Sequence, residues 1–247
     1  MNITSKTINR CQISGIKDLK TILSLGYLPA VNKLKKIGNL LSEDSFYPAE
    51  LMFSPSSKLV QLSTIVNKEV LFPKEYPYTS STTKILRENF KELYEDCKKI
   101  INISSQDLII DIGSNDGNLL NNFKLNHRVL GITPEKIGKV AIKKGINTLI
   151  KYFDNKTAKL VLKKYGKAKI ITATNVFAHI ENVNSLMKNI LKILKKNGVF
   201  ISESHYLVPL IKTNQYDTIY HEHLRYYSLT SLKYLFEMYG MKIIHAK

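Results

Sequence analysis

The sequence has no tryptophan, two cysteines, and only four arginines among its 37 basic residues. Two thiols, Cys11 and Cys97, cannot build the disulfide framework of a small secreted domain. The scarcity of arginine counts against a nucleic-acid partner despite a net charge of +17, because phosphate and base recognition favour the planar guanidinium, whereas lysine along helix surfaces is ordinarily a solvated face. No apolar run approaches the roughly eighteen residues needed to cross a membrane, and the amino terminus alternates polar and charged residues without a signal core. These absences lead to a cytoplasmic expectation, with neither membrane nor nucleic acid as partner. What is present is a chain of 247 residues, 44% of them hydrophobic, enough for a sizeable core. The positive charge favours long-range attraction of an anionic substrate.

The stretch that stands out is Asp107 to Leu120, D-L-I-I-D-I-G-S-N-D-G-N-L-L. An apolar run from Leu108 to Ile112 stops at Gly113, and an apolar-spaced segment with Asp116 in its first turn follows. That pattern predicts buried strand, glycine turn and helix. A dinucleotide fingerprint needs Gly at the first, third and sixth places of such a turn. Counted from Gly113, those places hold Gly113, Asn115 and Asn118, so NAD fits poorly. The spacing of Asp111, Gly113 and Gly117 instead resembles the first motif of class I S-adenosylmethionine (SAM) methyltransferases, with Asn115 at their middle glycine. Asparagine tolerates the left-handed backbone such a turn requires. Free amides at the turn and helix start are expected to hold the methionyl carboxylate, and Asp111 the amino group. Taken alone, the motif also reads as a plain βα turn with no ligand.

Residues 1–82 have a different texture, with short apolar pieces broken by Pro29, Pro48, Pro55 and Pro73, which predicts a small loop-rich lobe. From Ser81 to Ile101, Ile85, Phe90, Leu93, Tyr94, Cys97 and Ile100 fall mostly on one helical face. Strand-like runs at 129–132, 148–150, 170–174, 199–202 and 242–244 then alternate with helical patterns at 135–144, 155–165, 181–196 and 229–239. The alternation predicts an α/β fold, a doubly wound Rossmann-like sheet within residues 83–247. Ligands of such sheets bind beyond the carboxyl ends of the strands, where 113–117, 133–135, 175–180 and 203–227 are expected to converge. Thr133 stands where an acidic side chain normally grips the ribose, so SAM affinity is low unless Glu135 substitutes. Phe153 is placed either to stack near adenine or to join the core. His179, taken alone, reads as a helix-start residue satisfied by backbone.

The most specific segment is D-T-I-Y-H-E-H-L-R-Y-Y-S-L (217–229), expected in a long connection after the fifth strand, where a loop of that length is usually functional. A His-Glu-x-x-His zinc motif would need His at the position of Arg225, and His221 with His223 has no evident third ligand. Acid–base chemistry remains, for which histidine is suited near neutral pH. This block, together with L-S-L-G-Y-L-P-A-V-N (23–32), L-V-Q-L (59–62), L-F-P-K-E-Y-P-Y-T-S-S (71–81) and N-V-F-A-H-I (175–180), resembles the sugar C-methyltransferases that act on nucleotide-linked deoxysugars. The resemblance spans about residues 11–247.

The resemblance implies a class I methyltransferase domain, SAM as cofactor and a nucleotide-linked sugar as substrate. It makes His223 the base, with Tyr220 and Glu222 orienting substrate or base, Tyr78 a donor closing over the sugar, Tyr76 the second choice for that role, and His179 near the methyl-transfer site. Asp111, Gly113, Ser114, Asn115, Asp116, Gly117, Thr133, Phe153 and Asn175 are then expected at SAM. Tyr76, Ser80, Glu203, His221 and Tyr226 are expected at the substrate. Glu203 matches a family acid, while His205 replaces its usual proline.

The chain also departs from that family. The four-cysteine zinc site of the amino-terminal lobe aligns with Cys11, Ser14, Ser54 and Ser57, and serine hydroxyls are poor zinc ligands, so no zinc is expected. The family has a seventh strand and a C-terminal domain beyond the strand expected near 242. The expectation is that these are missing here or supplied by a partner chain. Two function classes follow: a SAM-dependent C-methyltransferase of a 4-keto-deoxysugar nucleotide, or a catalytically degenerate relative that binds a nucleotide-sugar or a protein partner.

Overall fold

The computed structural model describes residues 4–32, 37–38, 44–72 and 79–247. The chain forms two compact units: unit one is Met1–Tyr76, Ala178–Val183 and Ser204–Lys247, and unit two is Pro77–Phe177 and Asn184–Glu203. This division differs from the expected boundary at 82–83, because residues 178–183 and 204–247 group with the amino-terminal segment.

Unit one begins with β1 (Ser5–Thr7), β2 (Lys20–Pro29), β3 (Phe46–Ser54), β4 (Leu59–Leu62), β5 (Thr64–Val66) and the short α1 (Lys68–Leu71). β1 pairs with β5, and β2, β3 and β4 form an antiparallel meander. Pro29 ends β2, Pro55 follows β3, and Pro48 pairs with Tyr27 beside a register shift between β2 and β3, all places where the missing N–H is tolerated; Pro73 lies outside the described residues.

Unit two opens with α2 (Lys84–Ile100), which buries Phe90, Tyr94 and Cys97 at helical spacing while Ile85 and Ile100 near its ends stay exposed. The parallel strands β6 (Leu108–Ile112), β7 (Arg128–Thr133), β8 (Thr148–Ile150), β9 (Ala168–Thr174) and β10 (Leu194–Glu203) lie in the order β10-β9-β6-β7-β8. Interleaved helices are α3 (Leu120–Phe123), α4 (Gly138–Lys143), α5 (Asn155–Lys164) and α6 (Val183–Ile193). This is the doubly wound α/β sheet, and its order reverses between β6 and β9, the switch point at which such sheets bind ligands. β6 is buried along its whole length, which is why it reads as an unbroken apolar run apart from Asp111. Behind it, the Phe123 ring meets Tyr94 edge-on, 4.7 Å between centres, in a core that includes Ile109, Leu119 and Leu120.

The chain then completes unit one with α7 (Leu207–Lys212), β11 (Arg225–Tyr226) and α8 (Leu229–Glu237), the last held by a capping box between Ser228 and Ser231. β11 pairs antiparallel with β4, Arg225 opposite Gln61 and Tyr226 opposite Val60. The 217–229 block, expected as a long loop, is therefore partly a strand: its Ile219, Leu224, Tyr226 and Tyr227 are buried, and Ile219 and Tyr226 pack with Leu51, Val60 and Leu62 of the amino-terminal sheet. The strand expected at 242–244 does not form. Residues 241–247 join no ladder and Ile244 is 64% exposed; a three-residue apolar pattern does not make a strand without a neighbour to accept its hydrogen bonds. No helix among the described residues is long and apolar enough to cross a membrane.

Candidate active site

In unit two, the turn after β6 is left-handed at Gly113 (φ 80°), Asn115 (φ 48°) and Gly117 (φ 80°). A Cβ on Gly113 would lie 2.9 Å from Val176 Cγ1, and one on Gly117 2.6 Å from Ile146 Cδ1. The turn closes on itself. Gly113 N and Ser114 N both donate to the Ile132 carbonyl (2.8 and 3.2 Å), Gly117 N to Ser114 O (2.8 Å) and Asp116 N to Asn115 Oδ1 (3.0 Å). The amides expected to grip a carboxylate are thus engaged at these four positions, because the tight turn spends them on its own closure.

Asp116 is engaged as well. Its buried carboxylate accepts from Ser80 Oγ (2.6 Å) and Lys144 Nζ (2.9 Å). Burial pushes its pKa up, but the bonds from Ser80, Ser81 and Lys144 outweigh burial and hold the carboxyl below its ordinary range. Ser80 N also donates to Asn115 Oδ1 (3.0 Å), and Asn118 Nδ2 to Ser80 O (3.1 Å). The structure therefore places Ser80, expected at the substrate, as a clip on the turn.

Several polar groups remain to meet a ligand here. Asp111 accepts from Thr172 Oγ1 (2.7 Å); burial pushes its carboxyl up to about 7 against that bond, and the Glu203 charge adds to the rise. Ser114 Oγ is buried with no hydrogen-bond partner among the described residues. Thr133 Oγ1 donates to the Glu135 carboxylate, so an acid does stand just beyond β7. This donor set fits SAM, with a carboxylate for its ammonium, a carboxylate–hydroxyl pair for its ribose diol, and an unsatisfied hydroxyl beside a turn that excludes side chains. Asn175 (φ 55°) donates through Nδ2 to Glu203 Oε1 (2.8 Å), and Asn89 Nδ2 donates to Glu203 Oε2 (2.8 Å). Phe153 is half-buried beside Asp154, whose side chain caps α5 by accepting from Thr157 N (2.8 Å).

In unit one, three imidazoles meet. The His223 ring centre lies 5.0 Å from His179, 4.5 Å from His205 and 4.1 Å from the Tyr220 ring. His223 Nδ1 is 2.8 Å from the Thr218 carbonyl, which can only accept, so Nδ1 carries the proton and Nε2 keeps its lone pair. Tyr220 Oη, 3.1 Å from Nε2, is then the donor to it. Tyr226 Oη donates to the same Thr218 carbonyl (3.2 Å). Burial pulls His223 down to about 4, against the Thr218 bond and helped by His205. Burial, with His223, His205 and Arg225 adding to it, pulls His179 down to about 3. Both rings are neutral at pH 7. Burial also pushes the Tyr220 phenol up to about 12, so it stays a hydrogen-bond donor.

Not every residue of the block joins this cluster. His221 is 1% exposed, and its Nε2 donates to the Pro48 carbonyl (3.1 Å) with the Tyr47 ring edge-on at 5.7 Å. That is the setting of a buried anchor. The Glu222 carboxylate accepts from Asn32 Nδ2. Tyr76 and Tyr78 lie outside the described residues. Sequence reasoning missed Asn32, the Thr218 carbonyl and the approach of His205 to His223; Asn32 closes the L-P-A-V-N segment, but nothing local to it signals a partner 190 residues away.

The four positions aligned with a zinc site do come together in unit one. Cys11 Sγ and Ser57 Oγ are 3.0 Å apart, Ser14 N donates to Cys11 Sγ (3.4 Å), and Ser54 Oγ donates to Asp18 (2.9 Å). Burial pushes the Cys11 thiol up, and hydrogen bonds from Ser14, Ser57 and Ser54 outweigh it, leaving the thiol below its ordinary value. One thiol and three hydroxyls are a poor zinc donor set, and no group of three metal-binding side chains is present among the described residues.

The family model described as "Methyltransferase domain" matches residues 84–246, and one described as "Putative zinc binding domain" matches residues 11–72. The chain is similar to the C-methyltransferase NovU of Streptomyces niveus, 29% identical over 241 residues, which are 97% of this chain and 57% of the relative. It thus spans little more than half the length of that relative. A solved SAM dependent methyltransferase from Archaeoglobus fulgidus shares the fold with a TM-score of 0.51 at 18% identity, over 63% of this chain and 69% of that one. With a glycine turn that suits SAM, a doubly wound sheet and a family match over most of its length, the chain belongs to the methyltransferase domain family.

Proposed function

We propose that the protein is a SAM-dependent C-methyltransferase acting on the carbon beside the ketone of a nucleotide-linked 4-keto-deoxysugar. The observation that carries this reading is His223, a buried neutral imidazole whose Nδ1–H is spent on the Thr218 carbonyl and whose Nε2 stays unprotonated. Methylation at carbon needs a carbanion equivalent, and the proton beside a ketone is the acidic one. In this reading the Tyr220 hydroxyl, which donates to the single lone pair of His223 Nε2 and so holds the ring before substrate binds, turns away from it as the sugar enters. Nε2 then takes that proton, the C–H electron pair moves toward the ketone, and the oxygen becomes an enolate. Tyr78 is the proposed donor to the enolate oxygen. His223 then passes its proton to water. What SAM supplies is an electrophilic methyl on a sulfonium, for the enolate carbon. Asp111, Ser114 and the Thr133–Glu135 pair would hold it, with Asn175 and Phe153 as further candidates. The net charge of +17 suits the phosphates of a sugar nucleotide.

The test uses a 4-keto-deoxysugar nucleotide in deuterium oxide, with mass spectrometry of the sugar. The wild type is expected to exchange the proton beside the ketone and, with SAM, to add one methyl group. His223→Ala is expected to lose both while binding SAM as before; loss of SAM binding in that variant contradicts the role of base. The serine-substituted cluster at Cys11 favours a second reading, a non-catalytic binder of the sugar nucleotide. That reading predicts binding with neither exchange nor methylation.

A further inference from the structure

Arg225 is among the largest fully buried side chains of the protein, and the chemistry above leaves it unused. It lies in unit one, two residues after His223. Its Nη2 donates to the carbonyls of Ile180 and of Ala178 (3.4 Å), its Nη1 to the Glu181 carbonyl (3.4 Å) and to Gln12 Oε1, and its Nε to Tyr227 Oη (2.9 Å). Leu224 N adds a bond to the Ala178 carbonyl (3.2 Å). The carbonyls of 178, 180 and 181 bracket His179. Its ring packs on His223, and also on Phe72, 6.3 Å away and nearly parallel.

We propose that Arg225 is a positioning residue: by gathering the carbonyls on both sides of His179 it sets that imidazole against His223 and so holds the base in place. The proposal rests on reading His223 as the base. A guanidinium presents five donors in a rigid plane, so it can hold several carbonyls in one geometry, which a compact ammonium cannot. Burying a cation is costly, and an apolar side chain of similar volume would fill the space without that cost. The cost makes sense if the fork itself is needed. The charged and titratable groups facing His179 are Arg225, His205 and His223, so the cation also disfavours protonation of that ring.

The experiment is histidine-selective NMR of the full chain carrying Arg225→Lys or Arg225→Gln, without SAM or sugar. Both variants are expected to move the His179 and His223 signals and to leave those of His221, anchored on Pro48, in place. Arg225→Gln, which removes the charge, is expected to raise the pH at which His179 protonates by about one unit, and Arg225→Lys by less. In turnover, Arg225→Lys is expected to lower kcat about tenfold or more with SAM affinity unchanged, and to add little once His179 is replaced by Gln. A folded Arg225→Lys with wild-type His179 and His223 signals overturns the proposal. If neither variant folds, Gln12→Ala loosens the guanidinium from its other end, and unmoved His179 signals in that variant overturn it equally. Because the spectra need no substrate, failure of the methyl-transfer reading and failure of this proposal are separable.

Discussion

The turn after β6 and the imidazole cluster are built in opposite ways. The turn is seven consecutive residues, 111–117, shaped by left-handed backbone at Gly113, Asn115 and Gly117 and by amides folded onto Ile132. The cluster draws His179, His205 and the 218–226 segment from separate stretches of chain and fixes the His223 ring on the Thr218 carbonyl. Backbone geometry tolerates most side-chain changes but not a Cβ where none fits. Side-chain geometry tolerates backbone variation but depends on each hydrogen bond. Damage to the turn should therefore cost stability and SAM binding together, whereas damage to the cluster should cost chemistry with the fold intact.

The sharpest way to test that contrast is His223→Ala, for which turnover is expected to fall on the order of 10²–10⁴-fold while calorimetric SAM affinity stays put. A change in SAM affinity of similar size would erase the distinction between the two regions. The converse is Gly117→Ala, which forces a side chain into left-handed backbone and against Ile146. Urea unfolding is expected to show a loss of about 2 kcal/mol, accompanied by weaker SAM binding; unchanged stability would mean the turn yields where its geometry says it cannot.

Acid should separate the regions next. His223 and His179 are held at about 4 and about 3 in the fold, below the ordinary histidine value of about 6.5, so between those limits the unfolded chain binds more protons. Their contribution is fully present above about pH 6.5 and is lost as the pH falls toward 4. Urea midpoints measured at pH 7.5, 5.5 and 4.5 should decline, and the decline should flatten in a variant carrying Gln at both positions. The smallest expected effect belongs to the turn. With Asp111 raised to about 7, its carboxylate form grows from pH 6 to pH 8, so SAM affinity should rise several-fold over that range, and Asp111→Asn should abolish the rise.

How far the chain could be read from its sequence follows the same contrast. Strands at 108–112 and 148–150, the helix through Phe90, Tyr94 and Cys97, and the left-handed Asn115 were all legible, because each depends on periodicity or on one residue's backbone preference. The strand expected at 242–244 failed and the partial strand in 217–229 went unseen for a common reason: β-pairing is decided by a neighbour that lies elsewhere in the chain. The bond between Ser80 and Asp116, both expected at ligands, was not legible, since sequence shows that a group is polar but not which group satisfies it.

The sequence by itself determined the doubly wound α/β class, the glycine turn with its left-handed Asn115 and the presence of a histidine-rich block, since local pattern and backbone stereochemistry carry that information. Only the tertiary structure decided that the block packs with the amino-terminal strands, which nitrogen of His223 carries the proton, and that Arg225 clasps the carbonyls around His179. Those outcomes depend on burial and on hydrogen-bond partners brought together from far along the chain, and no local pattern encodes them.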